Sequence, residues 1–270
     1  MIIDSHHHFW NPSRGDYKWM AQKPTLQRNY LPQDFVAIKA QSGIDKTVLV
    51  QAADTIAETE YILGLADATD DVAKIVGWID FENKADLQHL KRLAKHPKFS
   101  GVRPMIQDIP DAEWMHRKDV QWAYDAIIDL DLTFDALGFP VHLDPFLKLF
   151  QRYPKMRTVV DHCMKPEIIN GAFDDWAAKI KLIADETPAF CKLSGLATEA
   201  APGWSTATLA PYIAHILKVF GPDRVMWGSD WPVLNLNGNY PSWLQTAQAC
   251  VGQADLAQVF SRTAAKFYRI

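Results

Sequence analysis

No stretch of this 270-residue chain is rich in Gly, Ser and Pro, so nothing reads as a linker, and one domain over residues 1–270 is expected. A run of about 18 apolar residues is also missing, which excludes a membrane-spanning helix. The first 30 residues lack a charged start, an apolar stretch and a small-residue cleavage site, so a cytoplasmic protein is expected. Cysteine is scarce. Cys163, Cys191 and Cys250 are odd in number and scattered through apolar segments, the pattern of buried thiols and not of a disulfide frame. Charge of one sign is missing too: 28 basic residues against 32 acidic ones give a net charge of −4. No basic stripe could neutralise nucleic-acid phosphates, which leaves a small molecule as the expected partner. No apolar stripe is clearly surplus either, so a homodimer, common among parallel barrels, stays an open expectation.

What is present is an ordinary globular balance, 48% hydrophobic residues against 22% charged, enough for a full core. The excess is in tryptophan. There are ten, several of them beside the residues that carry chemistry.

The first such residues lie at the start, in Ile2-Ile3-Asp4-Ser5-His6-His7-His8-Phe9-Trp10. Two apolar β-formers run into alternating imidazoles, so His6 and His8 leave the strand on one face and His7 on the other. Such a pair can hold a divalent metal, or polarise a substrate oxygen, with a third group brought from elsewhere. The run is too short, and too well set between a strand and an aromatic loop, to read as an expression tag. The loop from Asn11 to Tyr30 is broken by Pro12, Gly15 and Pro24 and carries Tyr17 and Trp19, which predicts an ordered flap over the site.

A rhythm of short apolar runs and helical spacings follows. Strands are expected at Thr47–Val50, Ile75–Ile79, Gly101–Arg103, Leu132–Asp135, Arg157–His162, Phe190–Ser194 and Arg224–Asp230, with helices between them. Together with the first strand this is the pattern of a distorted (β/α)8 TIM-type barrel with extra C-terminal helices, at about 242–251 and 255–267. An open doubly wound sheet would place a Gly-rich turn after the first strand, where this chain has His-His-Phe-Trp.

In a barrel the chemistry sits at the C-terminal strand ends, which here carry His6, His8, Arg103, His162 and Asp230. Taken singly, the arginine could be a surface ion pair, His162 a satisfied core imidazole and Asp230 a turn cap. Their convergence on one barrel end favours a site.

Several motifs carry a resemblance. Asp4-x-His6-x-His8-Phe9-Trp10, Gly15-Asp16-Tyr17-x-Trp19, Gly101-Val102-Arg103, Asp161-His162-x-x-Lys165-Pro166 and the block Phe220 to Pro232 resemble the amidohydrolase superfamily. Within it they resemble the small lactonases of the L-fuconolactonase, L-rhamnonolactonase and 2-pyrone-4,6-dicarboxylate lactonase type. The resemblance implies a lactone hydrolase of carbohydrate catabolism, opening an L-fuconolactone or L-rhamnonolactone type of ring, with a site made from His6, His8, His162 and Asp230. The superfamily's two-metal members carry a His at the end of strand 5, where this chain has Asp135-Ala136, with His142 farther along the loop. That departure leaves one divalent metal, zinc, on His6, His8 and Asp230, or none. Cys163, next to His162, would point to the opposite face and is not expected to act as a nucleophile.

On this reading Asp230 takes the proton from the attacking water. His6, His8 and His162 stabilise the oxyanion, and Asp230 or His162 protonates the departing ring oxygen. Arg103 and Lys165 bind hydroxyls or the product carboxylate, with Trp10, Tyr17, Trp19, Trp231 and His142 completing the substrate wall. The alternatives are a dicarboxylate lactonase, which would want several converging arginines, and a metal-dependent decarboxylase of the same superfamily. A non-catalytic barrel would be expected to lose Asp230 or the His pair, and both are present.

Overall fold

The computed structural model describes residues 1–270. Eight parallel strands pair in chain order: β1 (Ile3–His7), β2 (Lys46–Val50), β3 (Val72–Gly77), β4 (Phe99–Val102), β5 (Thr133–Ala136), β6 (Arg157–Val160), β7 (Phe190–Leu193) and β8 (Val225–Trp227). Strands so short and apolar are buried on both faces, as Val48, Leu49 and Val50 are. The register slips between β1 and β2, β2 and β3, and β3 and β4, so the barrel is distorted on that side.

No regular ladder joins β8 to β1. The gap is closed by a bridge between His7 and Trp231, by the Asp230 N–H donating to His6 O at 2.8 Å, and by the Ser5 hydroxyl donating to Trp227 O at 2.7 Å. Asp4 ties the same seam, accepting from the Ser229 N–H at 2.9 Å and from the Tyr240 hydroxyl at 2.8 Å.

Helices cover the outside: α1 (Pro32–Ser42), α2 (Ile56–Asp67), α3 (Leu87–Leu93), α4 (Gln121–Asp129), α5 (Leu143–Arg152), α6 (Asp174–Glu186), a single turn α7 (Leu196–Glu199), α8 (Thr206–Phe220), α9 (Tyr240–Val251) and α10 (Thr263–Tyr268). Pro32 opens α1 in its first turn and Gly43, at φ 66°, closes it in the left-handed region. The C-terminal helix plugs the barrel bottom, where Phe267 and Tyr268 pack with Ile3, Val48, Val76, Val159 and Met226. No helix is long and apolar enough to cross a membrane.

Several strands end before their sequence pattern suggests, β6 and β8 among them. β6 stops at Val160 and β8 at Trp227, and beyond these ends His162 (φ 53°) and Asp230 (φ 57°) turn into the left-handed region. Left-handed backbone costs a non-glycine residue about 1–2 kcal/mol. In each case the turn lifts a polar side chain off the ladder and aims it across the barrel mouth.

Candidate active site

Four groups from three strand ends meet at one point. Asp230 Oδ1 lies 3.2 Å from His8 Nε2, 3.8 Å from His6 Nε2 and 3.9 Å from His162 Nε2. His7 leaves on the other face, bonds Thr47 Oγ1 at 2.9 Å and stacks on Phe35. The strand alternation therefore turns two imidazoles into the barrel mouth and one into outer packing. Close approach is possible because two glycines stand behind the rings. A side chain at Gly195 (φ 70°) would put its Cβ 2.7 Å from His162, and one at Gly228 would come within 2.8 Å of the His6 Cβ.

Burial sets the protonation of the cluster. It pushes all three imidazoles down, His162 to about 4, and at His6 the nearby Lys192 ammonium lowers it further. At neutral pH they are uncharged rings. Burial alone would raise the Asp230 carboxyl, but His162, His8 and Lys165 outweigh it and hold the group below its ordinary value, so it is a carboxylate.

The arrangement suits a divalent ion. His8 Nδ1 donates to Val50 O at 2.8 Å, which leaves its Nε2 lone pair facing the cluster. The nitrogens of His6 and His8 are 3.3 Å apart and each has the Asp230 oxygen at 3.2 or 3.8 Å. Bonds of about 2.0–2.1 Å to a tetrahedral ion would place ligand atoms about 3.3–3.4 Å from one another. Two of the three spacings match such a shell, and the third, 3.8 Å between His6 and Asp230, is longer. His6, Asp161 and His162 form a second grouping of donor atoms.

A buried ion cluster supports the site from below. Lys192, in the middle of β7, donates to Asp135 Oδ2 at 2.6 Å and sits 3.0 Å from Asp161 Oδ1 and 3.1 Å from His6 Nδ1. The hydroxyl of Tyr268, reaching up from the barrel plug, donates to Asp135 Oδ2 at 2.7 Å. Burial alone would raise the Asp161 carboxyl, but Lys192 and the neighbouring imidazoles hold it well below the usual carboxylate range. Arg103, fixed by donation to Gln51 O, places Nη1 3.5 Å from Asp161 and 3.4 Å from His6 Nε2.

The cavity over the cluster has a volume of about 90 Å³ and is lined by His8, His162, Asp230, Arg103, Lys165 and Trp19 among others. Lys165 donates to Gln107 Oε1 at 2.5 Å. Of the aromatic residues expected in the wall, only Trp19 lines it. Trp10 is fully buried and its indole donates to Leu26 O and Arg28 O, while Tyr17 gives its hydroxyl to Glu58 at 2.6 Å. Trp231 stacks on Phe35 outside the barrel. These three hold the flap and the β8–β1 seam. His142 also stands apart, accepting from the Phe139 N–H at 2.9 Å as a turn cap. Cys163 points away and donates to Lys192 O.

Comparison with known proteins adds the family. The family described as amidohydrolase matches residues 3–270. The chain belongs to the amidohydrolase family. It is 39% identical to an L-fucono-1,5-lactonase of Burkholderia ambifaria, over 99% of this chain and 95% of that protein. It is 24% identical to a 2-pyrone-4,6-dicarboxylate hydrolase of Comamonas testosteroni, over 88% of this chain and 79% of that one. Its fold overlays that of an amidohydrolase from Burkholderia multivorans with bound zinc, at a TM-score of 0.94 and 29% identity, covering 100% and 99% of the two chains.

For an amidohydrolase of this kind, sequence reasoning missed Lys192, Asp135, Lys23 and Gln107. Lys192 left a signal, a cation between Cys191 and Leu193 in an otherwise apolar strand, which needs a buried partner. Lys23 and Gln107 lie in loops and left none.

Proposed function

We propose that this amidohydrolase opens the ring of a sugar-acid lactone of the L-fucono-1,5-lactone type to the aldonate. One observation carries the reading: a single buried carboxylate, held ionised, is surrounded by three uncharged imidazoles at the mouth of the barrel. The full-length kinship with an L-fucono-1,5-lactonase supports the substrate class.

Asp230 takes a proton from water as the water oxygen attacks the lactone carbonyl. The carbonyl oxygen becomes an oxyanion beside the imidazoles and Arg103. Ser194 lies 2.9 Å from His162 Nδ1, and a proton donated there leaves His162 Nε2–H free to face that charge. Collapse breaks the bond from the carbonyl carbon to the ring oxygen, which receives the proton held by Asp230. Lys165 and Lys23 flank the cavity and receive the hydroxyls or the new carboxylate.

His6, His8 and Asp230 would hold one divalent ion, zinc by their donor types, and such an ion would polarise the carbonyl when bound. Chelation followed by assay separates the two forms of the site. Activity lost on chelation and restored by zinc makes these residues ligands, and activity that survives makes them direct hydrogen-bonding groups.

Asp230→Asn should lower kcat by about 10³-fold or more with the fold intact, since positioned proton transfer contributes about 10²–10⁴ and the charge is lost as well. Turnover within tenfold of wild type would overturn the assignment. One observation favours a dicarboxylate lactone instead: Lys23, Arg103 and Lys165 give the cavity three cationic side chains.

A further inference from the structure

Beside the reaction cavity lies a much larger one, of about 650 Å³, formed by the loops that follow β2, β3 and β4 and by the flap. Trp19 and Met105 line both, so the two are neighbours across a shared wall. Small-molecule pockets usually measure about 300–1,000 Å³; the reaction cavity falls below that range and its neighbour within it. A substrate seated on Asp230 and larger than a single ring would extend past Trp19.

The neighbouring walls are of one chemical kind. Trp19 and Trp78, both half-buried, present indole surface, with Phe81 and Trp114 packed behind at 5.9 Å between ring centres. The backbone of Trp78 is pinned to α2, its N–H donating to Thr59 Oγ1 at 2.8 Å and its carbonyl accepting from the same hydroxyl at 3.0 Å. The charged groups on the walls are almost all acidic, Asp54 and Asp108 exposed among them, with Lys18 the exception. Such a lining repels anions. It suits a neutral polyol, whose C–H faces lie on aromatic rings while carboxylates accept its hydroxyl protons. Organic cations also favour such walls, but one attached to the lactone would be held against Lys23, Arg103 and Lys165.

We propose that this cavity is a subsite for a neutral glycosyl group, so that the enzyme takes aldonolactones carrying a second sugar. The inference rests on the lactonase reading and extends it from one ring to two. The glycosyl unit lies against Trp78, and the lactone ring stays over Asp230.

The test compares L-fucono-1,5-lactone with lactones bearing a neutral hexosyl substituent, prepared by oxidising the corresponding reducing disaccharides. Wild-type enzyme is expected to open at least one glycosylated lactone with the higher kcat/KM. Trp78→Ala should lower that value tenfold or more while changing the unsubstituted lactone less than twofold. Asp54→Asn, an exposed change that tests the same wall with the fold undisturbed, should act in the same direction by a few-fold. Preference for the unsubstituted lactone across the panel, or equal losses on both substrates in both variants, would overturn the subsite and leave the lactonase reading standing. Failure of the wild type to open any of these lactones would remove both.

Discussion

The two sides of the barrel mouth are built differently. From β6 through β8 to β1, the clustered imidazoles and Asp230 sit on strand ends and are fixed from below by ions: Lys192 between Asp135 and Asp161, with Tyr268 beneath. From β2 to β4 the walls are loops, closed over by a flap that is held through aromatic packing and one buried carboxylate, Glu58, bonded to Tyr17. The first side has almost no freedom to move a side chain without unpairing a buried charge. The second can exchange wall residues at the cost of a packing contact. On the proposed reading, reaction chemistry falls to the rigid side and substrate choice to the loop side, a division a barrel permits.

The sharpest way to break that contrast is to remove the ion at its centre. Lys192→Met would leave Asp135 and Asp161, both fully buried, without their shared counter-charge. Loss of one partner of a buried pair costs about 3–5 kcal/mol. Chemical denaturation should show a loss of that size, accompanied by reduced turnover because His6 loses its neighbour. A loss below about 1 kcal/mol would mean that the network does not hold the site.

A smaller effect sharpens the loop side. Burial raises the Glu58 carboxyl from 4.5 to about 7. The folded protein therefore binds this proton more tightly than the unfolded chain, and the cost of the buried carboxylate appears as pH rises from about 4.5 through 7. Glu58→Gln carries no charge at any pH. Relative to wild type it should gain on the order of 2–3 kcal/mol in unfolding free energy between pH 5 and pH 8. A difference that does not change with pH would show that Glu58 is not the buried group this geometry makes it.

The same contrast explains what could be read from the sequence. The eight strands were legible because buried parallel strands are continuous apolar runs, and His6, His8, Arg103, His162 and Asp230 because barrel topology gathers strand ends. Trp10, Tyr17 and Trp231 were expected in the wall, yet they pack the flap and seam. A large aromatic beside a site gains as much by burying its faces in the core as by meeting a ligand, and sequence alone does not say which way the ring turns. His142 faces a turn for a similar reason: its imidazole satisfies a local backbone N–H before it can reach the cavity. Lys23 and Met105 reach the cavity only through loop geometry, which strand periodicity does not encode.

The most direct test of the account is the choice of lactone by the wild-type enzyme. Acid release from L-fucono-1,5-lactone and from 2-pyrone-4,6-dicarboxylate can be followed with a pH indicator under identical conditions. Rapid opening of the sugar lactone is expected, with little or none of the dicarboxylate. Turnover of the dicarboxylate with the sugar lactone left at its spontaneous rate would contradict it, and would assign Lys23, Arg103 and Lys165 to two substrate carboxylates.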